Sequence, residues 1–326
     1  MKKLLIYGAA GYTGRMAAEN AKTAGIDFII AGRDETRLAK LASGLGVEHL
    51  VFNLDSPAIV DTALASAFVV LNCAGPFKLT AEPLMTAAIR TRTHYLDVAA
   101  ELDGYLLAQT LDTKAKAEGV MLLPGSGGSV AMLGSLASLA ASAIPHPQKI
   151  SIALRVSGSM SRGSAMSAES MGIETLTRMD GLLSERSTAD LRDFDFGAGP
   201  VSCFPVTLPD LVTIWHSTQI PNIETFVHVS ADSFPTGDLA NLPDGPDAQE
   251  REANRYQAAV EVKGEDGTVS RAILDTVNGY TFTALASVEA ARRVLDGDVL
   301  AGFHTPVEVF GAHFAETIGN TRITVS

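Results

Sequence analysis

The sequence predicts an α/β protein with an N-terminal Rossmann domain, a doubly wound parallel sheet, followed by a second α+β domain with a mostly antiparallel sheet. Short apolar runs alternate with helical segments up to residue 128, and a glycine-rich turn, Gly8–Gly14, follows the first run. Strands that alternate with helices in this way form a parallel sheet covered on both faces. Beyond Ser129 the strands alternate apolar and polar residues, as in antiparallel strands with one solvated face.

The elements of the first domain are predicted from two patterns of apolar residues: continuous runs for strands and helical spacing for helices. Continuous apolar runs predict buried strands at 4–7, 28–31, 49–52, 68–71, 95–98 and 120–123. Helical segments are predicted between them at 13–24, 34–41, 80–90 and 102–117, with one more opening at Ser56-Pro57. Asp34 is a candidate N-cap, and Pro57 stands at the first helical position, where proline is favoured.

The second domain has weaker signals. Alternation predicts strands at 150–156, 226–231, 256–262 and 270–274, the last two joined by a turn at Glu265-Asp266-Gly267. Two polar stretches, 184–200 and 241–255, are predicted to be loops or lids, and helices are expected at 283–295 and 306–317.

Composition excludes several classes of protein. The 326 residues carry a formal net charge of -12, whereas a nucleic-acid binder needs a basic face. The two cysteines form no CxxC pair and the seven histidines are scattered, so neither a zinc site nor a disulfide framework is predicted and no metal is expected. Reduced cysteines indicate a cytoplasmic protein.

Two segments resemble membrane or export signals at first sight. The apolar run 4–7 is too short for a signal peptide. Residues 119–148 contain no Asp, Glu, Lys or Arg, but Pro124 and the following glycines divide them into a strand and a helix at 130–144. That helix is shorter than the about 20 residues that cross a bilayer, so no membrane span is predicted.

The turn Gly8-Ala9-Ala10-Gly11-Tyr12-Thr13-Gly14 predicts a dinucleotide site. Its glycines allow a tight turn after a strand, close approach of a pyrophosphate, and a helix N-terminus aimed at the anion. We therefore assign cofactor binding to Gly8, Gly11, Tyr12, Thr13 and Gly14. The alternative is an ordinary glycine-rich turn.

The end of the second strand indicates which dinucleotide is bound. NAD sites usually place an acid there to hold the ribose 2′-hydroxyl, whereas this chain has Arg33, with Arg37 a helical turn further on. Guanidinium groups match a 2′-phosphate in charge and geometry, which favours NADP(H). Two alternatives stay open: both arginines are simply solvated, or Asp34 contacts a ribose instead of capping its helix.

The segment Asn72-Cys73-Ala74-Gly75-Pro76-Phe77 follows the fourth strand. Open α/β sheets bind ligands at the carboxyl ends of their strands, and small residues there leave room for one. We therefore expect Ala74, Gly75, Pro76 and Phe77 to border the nicotinamide.

Candidate catalytic groups are Tyr95 and Asp97, at the carboxyl end of the fifth strand. Either could donate a proton as hydride reaches a double bond; alternatively, Tyr95 packs in the core and Asp97 caps the next helix. Glu101 fits an acid at a helix N-terminus. The segment 161–164 is either a polar turn or an anion site. The Tyr-x-x-x-Lys pair of short-chain dehydrogenases, a Walker lysine and a nucleophile elbow are all absent.

Several of these motifs resemble the saccharopine dehydrogenase/reductase-like family, which includes the trans-acting enoyl reductases. The matching segments are Gly8–Gly14, Asn72–Phe77, Thr93–Val98 with Glu101, 216–218, 220–224, and Gly302-Phe303-His304-Thr305-Pro306 ahead of Phe310-Gly311. The resemblance implies a Rossmann domain of residues 1–128 completed by a C-terminal segment, 300–326. It also implies a second domain, 129–299, that takes part in substrate binding or dimerisation.

The chain departs from the family pattern in two places. Ala99-Ala100 replaces a frequent Thr-Gly, and 125–130 lacks the aspartate and proline of Gly-Phe-Asp-x-x-Pro. If those groups shape the substrate pocket, the substrate here differs from that of other members.

Together these features predict a cytoplasmic NADP(H)-dependent oxidoreductase, a homodimer by resemblance, that transfers hydride to or from a C=N, C=O or C=C bond of a small molecule. The main alternative is a sensor or scaffold protein that binds NADP(H) without turnover. A weaker alternative is a trans-acting enoyl reductase that acts on thioester-bound chains.

Overall fold

The computed structural model describes residues 2–170, 175–230 and 244–326. The chain divides into two compact units. The first contains Met1–Gly128 and Thr283–His304, and the second contains Ser129–Phe282 and Thr305–Ser326.

The first unit is built on a parallel sheet. Its strands in chain order are β1 (Leu4–Tyr7), β2 (Phe28–Gly32), β3 (His49–Val51), β4 (Val69–Asn72), β5 (His94–Asp97) and β6 (Met121–Leu123). Across the sheet they run β3-β2-β1-β4-β5-β6, and every pairing among them is parallel. This order is that of the Rossmann fold, so the predicted fold of the first domain is confirmed.

Helices connect these strands as the hydrophobic periods predict. They are α1 (Tyr12–Thr23), α2 (Glu35–Leu45), α3 (Pro57–Leu64), α4 (Phe77–Thr91) and α5 (Leu102–Glu118). The Asp34 carboxylate accepts a hydrogen bond from the Arg37 backbone N–H at 3.0 Å, so Asp34 caps α2 as predicted. The fourth helix begins at Phe77, three positions earlier than predicted, which makes Phe77 the first helical residue rather than part of a loop.

The second unit surrounds a mixed sheet. Its helices and strands in chain order are α6 (Ser129–Ser142), β7 (Pro147–Val156), α7 (Arg162–Ser170), β8 (Thr175–Met179), β9 (Leu182–Arg186), β10 (Arg192–Asp195), β11 (Pro200–Pro205), α8 (Asp210–Thr218), β12 (Asn222–Val229), α9 (Ala248–Ala253), β13 (Tyr256–Gly264) and β14 (Val269–Thr276). Strands β12 and β7 pair in parallel, whereas the other pairings are antiparallel. The prediction of a mostly antiparallel second sheet is therefore confirmed.

Strand register gives the second sheet one apolar face and one face that carries both polar and apolar rows. Ile152, Val260 and Ala272 stand side by side in one row and are buried on the face against which α6 packs. On the opposite face the neighbouring row contains Ser151, Glu261 and Arg271. The next row on that face contains Ala153 and Ala259, which are buried, so the face is polar only in part.

The predicted loop at 184–200 contains the end of β9 and all of β10. Phe194 and Phe196 are buried there against Phe226, and Phe194 lies 5.2 Å from Phe226 between ring centroids. The many polar residues of this segment predict a loop, but its two phenylalanines pack against the sheet and hold the segment there. The other predicted loop, 241–255, contains α9; its residues 241–243 lie outside the described residues, as does residue 231 of the strand predicted at 226–231.

Arg192, on β10, binds side chains on the face of the sheet that carries Ser151 and Glu261. Its guanidinium donates to the Glu261 carboxylate at 2.7 Å and to the Ser151 hydroxyl, and lies 3.4 Å from a Glu224 carboxylate oxygen. The side chain is 27% exposed, so solvent screens part of this attraction.

Replacing Arg192 by alanine is expected to destabilise the protein by about 1 kcal/mol, because partly exposed ion pairs contribute about that much. Thermal unfolding followed by circular dichroism at low and high salt would measure it, and salt should reduce the difference from wild type. The control is Arg292→Ala, which removes exposed pairs with Glu289 and Asp296 and should cost less. Equal losses in both variants would contradict this role.

The C-terminal region divides between the two units. A long helix, α10 (Gly279–Asp296), precedes β15 (Gly302–Phe303), which pairs in parallel with β6. After α11 (Pro306–Phe310) and a 3-10 helix (Phe314–Thr317), β16 (Arg322–Val325) pairs antiparallel with β14.

These pairings differ from the predicted domain boundaries. Of the segment 300–326, assigned to the first domain, only the residues up to His304 lie in the first unit, and Thr305–Ser326 joins the second because β16 completes its sheet. Conversely, 283–299, assigned to the second domain, lies in the first unit. The helix predicted at 306–317 is interrupted at Gly311, whose φ of 87° is left-handed.

Within 2–170, 175–230 and 244–326, no helix has both the length and the apolar character needed to cross a bilayer. Helix α6 carries no charged residue, yet most of its side chains are buried inside the second unit. The prediction for 119–148, a strand and a buried helix, is confirmed.

Candidate dinucleotide site at the carboxyl edge of the first sheet

The glycine-rich turn leaves β1 through a left-handed residue and enters α1 directly. Gly8 has φ +80°, and the backbone N–H groups of Gly8 and Ala9 both donate to the Ala31 carbonyl at the end of β2. The Gly11 N–H donates back to the Gly8 carbonyl at 3.0 Å. Because Gly11 is the N-cap and has no side chain to cap α1, the first turn of the helix presents its backbone N–H groups at this edge.

Two of the glycines are required by close contacts. A Cβ on Gly8 would lie 2.7 Å from the Ala74 backbone nitrogen. A Cβ on Gly14 would overlap the Gly8 carbonyl oxygen and lie 2.8 Å from the Ala9 Cα. The turn therefore depends on two absent side chains: one at Gly8 leaves room for the loop after β4, and one at Gly14 lets α1 pack against Gly8 and Ala9. A Cβ on Gly11 would be tight but tolerable, at 3.2 Å from the Gly8 oxygen.

The loops after β1 and β4 lie next to each other because β1 and β4 are neighbours in the sheet. The strand order reverses between these strands, which makes this the topological switch point where doubly wound sheets bind their ligands. Tyr12, Thr13 and Gly14 form the first turn of α1 at this point. The structure thus brings together the residues predicted to contact the pyrophosphate and those predicted to border the nicotinamide.

Arg33 and Arg37 lie exposed at the end of β2 and in the first turn of α2. Burial raises the pKa of the Tyr7 hydroxyl at the end of β1, and the Arg33 charge opposes this rise. The positive charge of Arg33 therefore acts on Tyr7, the residue that precedes Gly8. Asp34 is engaged as the cap of α2, and the charge of Asp55 acts on the Tyr7 hydroxyl in the opposite direction to that of Arg33.

Ala74, Gly75 and Pro76 lie in the connection between β4 and α4, and Phe77 is the first residue of α4. The Ala74 N–H donates to the Asn72 side-chain oxygen at 3.0 Å, the Gly75–Pro76 peptide is cis, and Phe77 is buried. Asn72 therefore shapes this connection, a role not assigned to it from the sequence. An asparagine two positions before a turn residue is a known local signal for this hydrogen bond.

Tyr95 and Asp97 are both fully buried on β5. The Tyr95 hydroxyl donates to the Asp97 carboxylate at 2.8 Å. Burial raises the pKa of Asp97 to about 6, against hydrogen bonds from Gly125 and Ala99, and burial also raises the pKa of Tyr95 well above its ordinary value. Asp97 does not cap α5, because Glu101 holds the N-cap position.

Glu101 connects two helix N-termini. It is the N-cap residue of α5, and its carboxylate accepts from the Phe77 backbone N–H at the start of α4 at 3.4 Å. A carboxylate is stabilised at a helix N-terminus, which agrees with the interpretation given to Glu101 from the sequence.

The segment 161–164 forms a polar turn that opens α7. The Ser161 N–H donates to the Tyr280 hydroxyl at 2.7 Å, the Ser164 N–H donates to the Ser161 hydroxyl, and Arg162 pairs with Asp244. These polar groups are engaged with one another, which favours the turn over an anion site.

Comparison with known proteins agrees with this geometry. Residues 4–123 match the family described as saccharopine dehydrogenase NADP binding domain. The saccharopine dehydrogenase-like oxidoreductase of Bos taurus is 27% identical over 146 residues, covering 38% of this chain and 34% of that protein. The trans-acting enoyl reductase of Mycobacterium leprae (strain TN) is 32% identical over 108 residues, covering 30% of this chain and 25% of that protein.

The fold as a whole also has a counterpart. The apo histidine-tagged saccharopine dehydrogenase (L-Glu forming) from Saccharomyces cerevisiae matches with a TM-score of 0.66 at 13% identity, covering 99% of this chain and 100% of that one. Identity this low supports the fold alone. The similarity to the curated relatives spans about a third of their length or less. Residues 4–123 therefore resemble the NADP-binding domain of saccharopine dehydrogenases, and this match supports NADP(H) as the cofactor of the domain.

Proposed function

We propose that this protein is an NADP(H)-dependent oxidoreductase that transfers hydride to or from a C=N, C=O or C=C bond of a small molecule. The observation that carries the proposal is the contact between the glycine turn and the loop after β4 at the switch point of the sheet, where Gly8 lies against Ala74. An oxidoreductase needs both halves of a dinucleotide held at one sheet edge. The names of the relatives, oxidoreductase and enoyl reductase, agree with hydride chemistry.

In this proposal each part of the edge has its own role. Gly8, Gly11, Tyr12, Thr13 and Gly14 hold the pyrophosphate through the turn and the N-terminus of α1. The 2′-phosphate is bound by Arg33 and Arg37. The nicotinamide is bordered by Ala74, Gly75, Pro76 and Phe77. The cofactor supplies the hydride, and these residues bind and orient it.

Replacing Arg33 by alanine is expected to weaken NADPH binding by about 10- to 100-fold while changing NADH binding less than about twofold, because a charge-assisted contact to a phosphate contributes about 1.5–3 kcal/mol. Nicotinamide fluorescence titration measures both dissociation constants. Lys40→Ala, which removes one exposed positive charge from α2 a turn beyond Arg37, is the control and should change neither. Equal losses for NADPH and NADH would sink the phosphate assignment.

A protein that binds NADP(H) without turnover is the second candidate. The observation in its favour is that Tyr95 and Asp97, the acids expected to supply a proton, are fully buried and bonded to each other. Incubation of the protein and NADPH with panels of imines, carbonyl compounds and enoyl thioesters would separate the two. Oxidation of NADPH with any of them supports the enzyme, and thioesters as the sole substrates would identify a trans-acting enoyl reductase.

The assembly and its location are parts of the same proposal. We propose a cytoplasmic homodimer, on the family resemblance and on the reduced cysteines, both of which are free. Sedimentation equilibrium of the purified protein tests the dimer directly.

A further inference from the structure

Asn72, Tyr95 and Asp97 form one line of hydrogen bonds across the ends of β4 and β5. The Asn72 side-chain amide donates to the Tyr95 hydroxyl oxygen at 3.2 Å, and that hydroxyl donates to Oδ2 of Asp97 at 2.8 Å. All three side chains have no measurable exposure. Buried polar groups that satisfy one another in this way rigidify the backbone they are attached to.

One end of this line fixes the loop after β4. The Asn72 side-chain oxygen accepts from the Ala74 N–H at 3.0 Å. Its amide also donates to the Thr80 hydroxyl, which in turn donates to the Ala74 carbonyl at 2.7 Å. Ala74 is thus held at both its backbone nitrogen and its backbone oxygen, and it is the residue against which Gly8 packs.

The other end fixes the turn after β6. Oδ1 of Asp97 accepts from the backbone N–H groups of Ala99 and Gly125, at 3.0 and 2.7 Å. The Asp97 backbone carbonyl accepts from both the N–H and the hydroxyl of Ser126, each at 2.9 Å. Both carboxylate oxygens are engaged by the protein itself, which suits a group that holds loops in place better than one that exchanges protons with a ligand.

We propose that Tyr95 and Asp97 are positioning residues that hold the loop after β4 and the turn after β6 in the geometry that receives the nicotinamide half of NADP(H). The inference rests on the proposed function, in which Ala74–Phe77 border the nicotinamide. Preorganised loops bind more tightly because they lose less conformational freedom on binding. It replaces proton donation, the role expected of both residues from the sequence.

The inference predicts that different residues determine the binding of the two halves of the cofactor. The 2′-phosphoadenosine half would depend on Arg33, Arg37 and the glycine turn, which the Tyr95–Asp97 bond does not touch directly. The nicotinamide half would depend on the loop after β4. Loss of the Tyr95 hydroxyl should therefore weaken the whole dinucleotide but not a fragment that lacks nicotinamide.

The test compares NADPH with adenosine 2′,5′-bisphosphate, using isothermal titration calorimetry on the full chain. In Tyr95→Phe, the dissociation constant for NADPH should rise about tenfold, which corresponds to the loss of one net hydrogen-bond contribution, while that for the fragment should stay within about twofold. Asp97→Asn, which keeps the shape but exchanges an acceptor for a donor, should show the same selective loss and serves as the second variant.

Tyr105→Phe is the matched control. Tyr105 is also a fully buried tyrosine, and its hydroxyl donates to the Ala99 carbonyl at 2.6 Å, in the connection between β5 and α5. The substitution removes a comparable buried hydrogen bond that ends on the connection between β5 and α5 rather than on the loop after β4 or the turn after β6, so the ratio of the two dissociation constants should match wild type.

The outcomes distinguish this inference from the proposed function. If Tyr95→Phe and Asp97→Asn weaken both probes equally, or neither, while wild type binds both, the positioning role is overturned. It is also overturned if Tyr95→Phe binds NADPH normally but loses NADPH oxidation with a substrate, because the hydroxyl then acts in the chemistry. If wild type binds neither probe, the proposed function itself fails.

Discussion

A Gly14→Ala variant should lose NADPH affinity by at least about 100-fold, since displacing the first turn of α1 removes several charge-assisted bonds to the pyrophosphate. The new Cβ would overlap the Gly8 carbonyl oxygen and lie 2.8 Å from the Ala9 Cα. Both obstacles are backbone, so no flexible side chain can move aside. Either the glycine turn or α1 has to shift, and the overpacking itself should cost about 1–3 kcal/mol of stability.

Gly44→Ala is the control for this variant. Gly44 lies near the end of α2, and a Cβ there meets nothing within 4 Å. Alanine should stabilise that helix by about 0.5–1 kcal/mol and leave NADPH binding unchanged. Fluorescence titration and thermal unfolding of both variants are needed, because a folded Gly14→Ala protein with wild-type affinity would refute the role of the turn.

The N-terminal domain could be predicted almost element by element because its strands are buried on both faces. Runs such as Leu4–Tyr7 read as continuously apolar, and helix signals such as Asp34 and Pro57 stand between them. Local chemistry therefore agreed with the tertiary fold at each step. The cofactor turn could be found for the same reason. Its glycines are required by close contacts with neighbouring backbone, which at Gly14 is local and at Gly8 is that of Ala74, far along the sequence.

Much of the second domain was not predictable from local patterns. Strands β8 to β11 are short, β9 to β11 are largely exposed or half-buried, and the large apolar residues between Ser184 and Pro200 are Leu191, Phe194 and Phe196. Whether these segments form strands depends on a sheet that is assembled from distant parts of the chain. The place of β16 likewise depends on its pairing with β14, which the sequence of 322–325 does not reveal.

At the candidate site, the sequence indicated which residues gather at the sheet edge but not which of them are accessible. Tyr95 and Asp97 occupy the expected strand end, yet strand alternation places their side chains inward, where Asn72 and the turn at Gly125 meet them. A polar residue at the end of a buried strand can face a ligand or tie loops together. Distinguishing the two requires the hydrogen-bond partners.

Asp210 offers the largest expected effect on stability. Its side chain is fully buried in the first turn of α8, and neither carboxylate oxygen accepts a hydrogen bond from another of the described residues. Burial raises the pKa of this carboxyl from 3.8 to about 7, with only its own backbone N–H opposing the rise. An ionised carboxylate without donors is costly to bury.

The sign of the pH dependence follows from that rise. Between its ordinary pKa of 3.8 and the folded pKa of about 7, the folded protein keeps a proton that the unfolded chain has released. The stability contributed by the protonated group is therefore fully present below the lower pKa, decreases as pH rises, and is lost above the upper one. The difference amounts to up to about 4 kcal/mol, at about 1.4 kcal/mol for each pKa unit.

We therefore expect Asp210→Asn to be more stable than wild type at about pH 8 by up to about 4 kcal/mol, and nearly equal to it at about pH 4. The amide keeps the shape of the protonated carboxyl and cannot ionise. Urea unfolding followed by fluorescence is well suited to the measurement, because the single tryptophan of the chain, Trp215, lies on the same helix.

Thr213→Val separates the charge from the general cost of an unpaired polar atom. The Thr213 hydroxyl is also buried on α8 without a partner among the described residues, but it does not titrate. Its replacement by the isosteric valine should stabilise the protein equally at both pH values. If the advantage of Asp210→Asn were as constant with pH as that of Thr213→Val, the Asp210 carboxyl would have to have the same pKa in the folded and unfolded states, and burial would not be raising it.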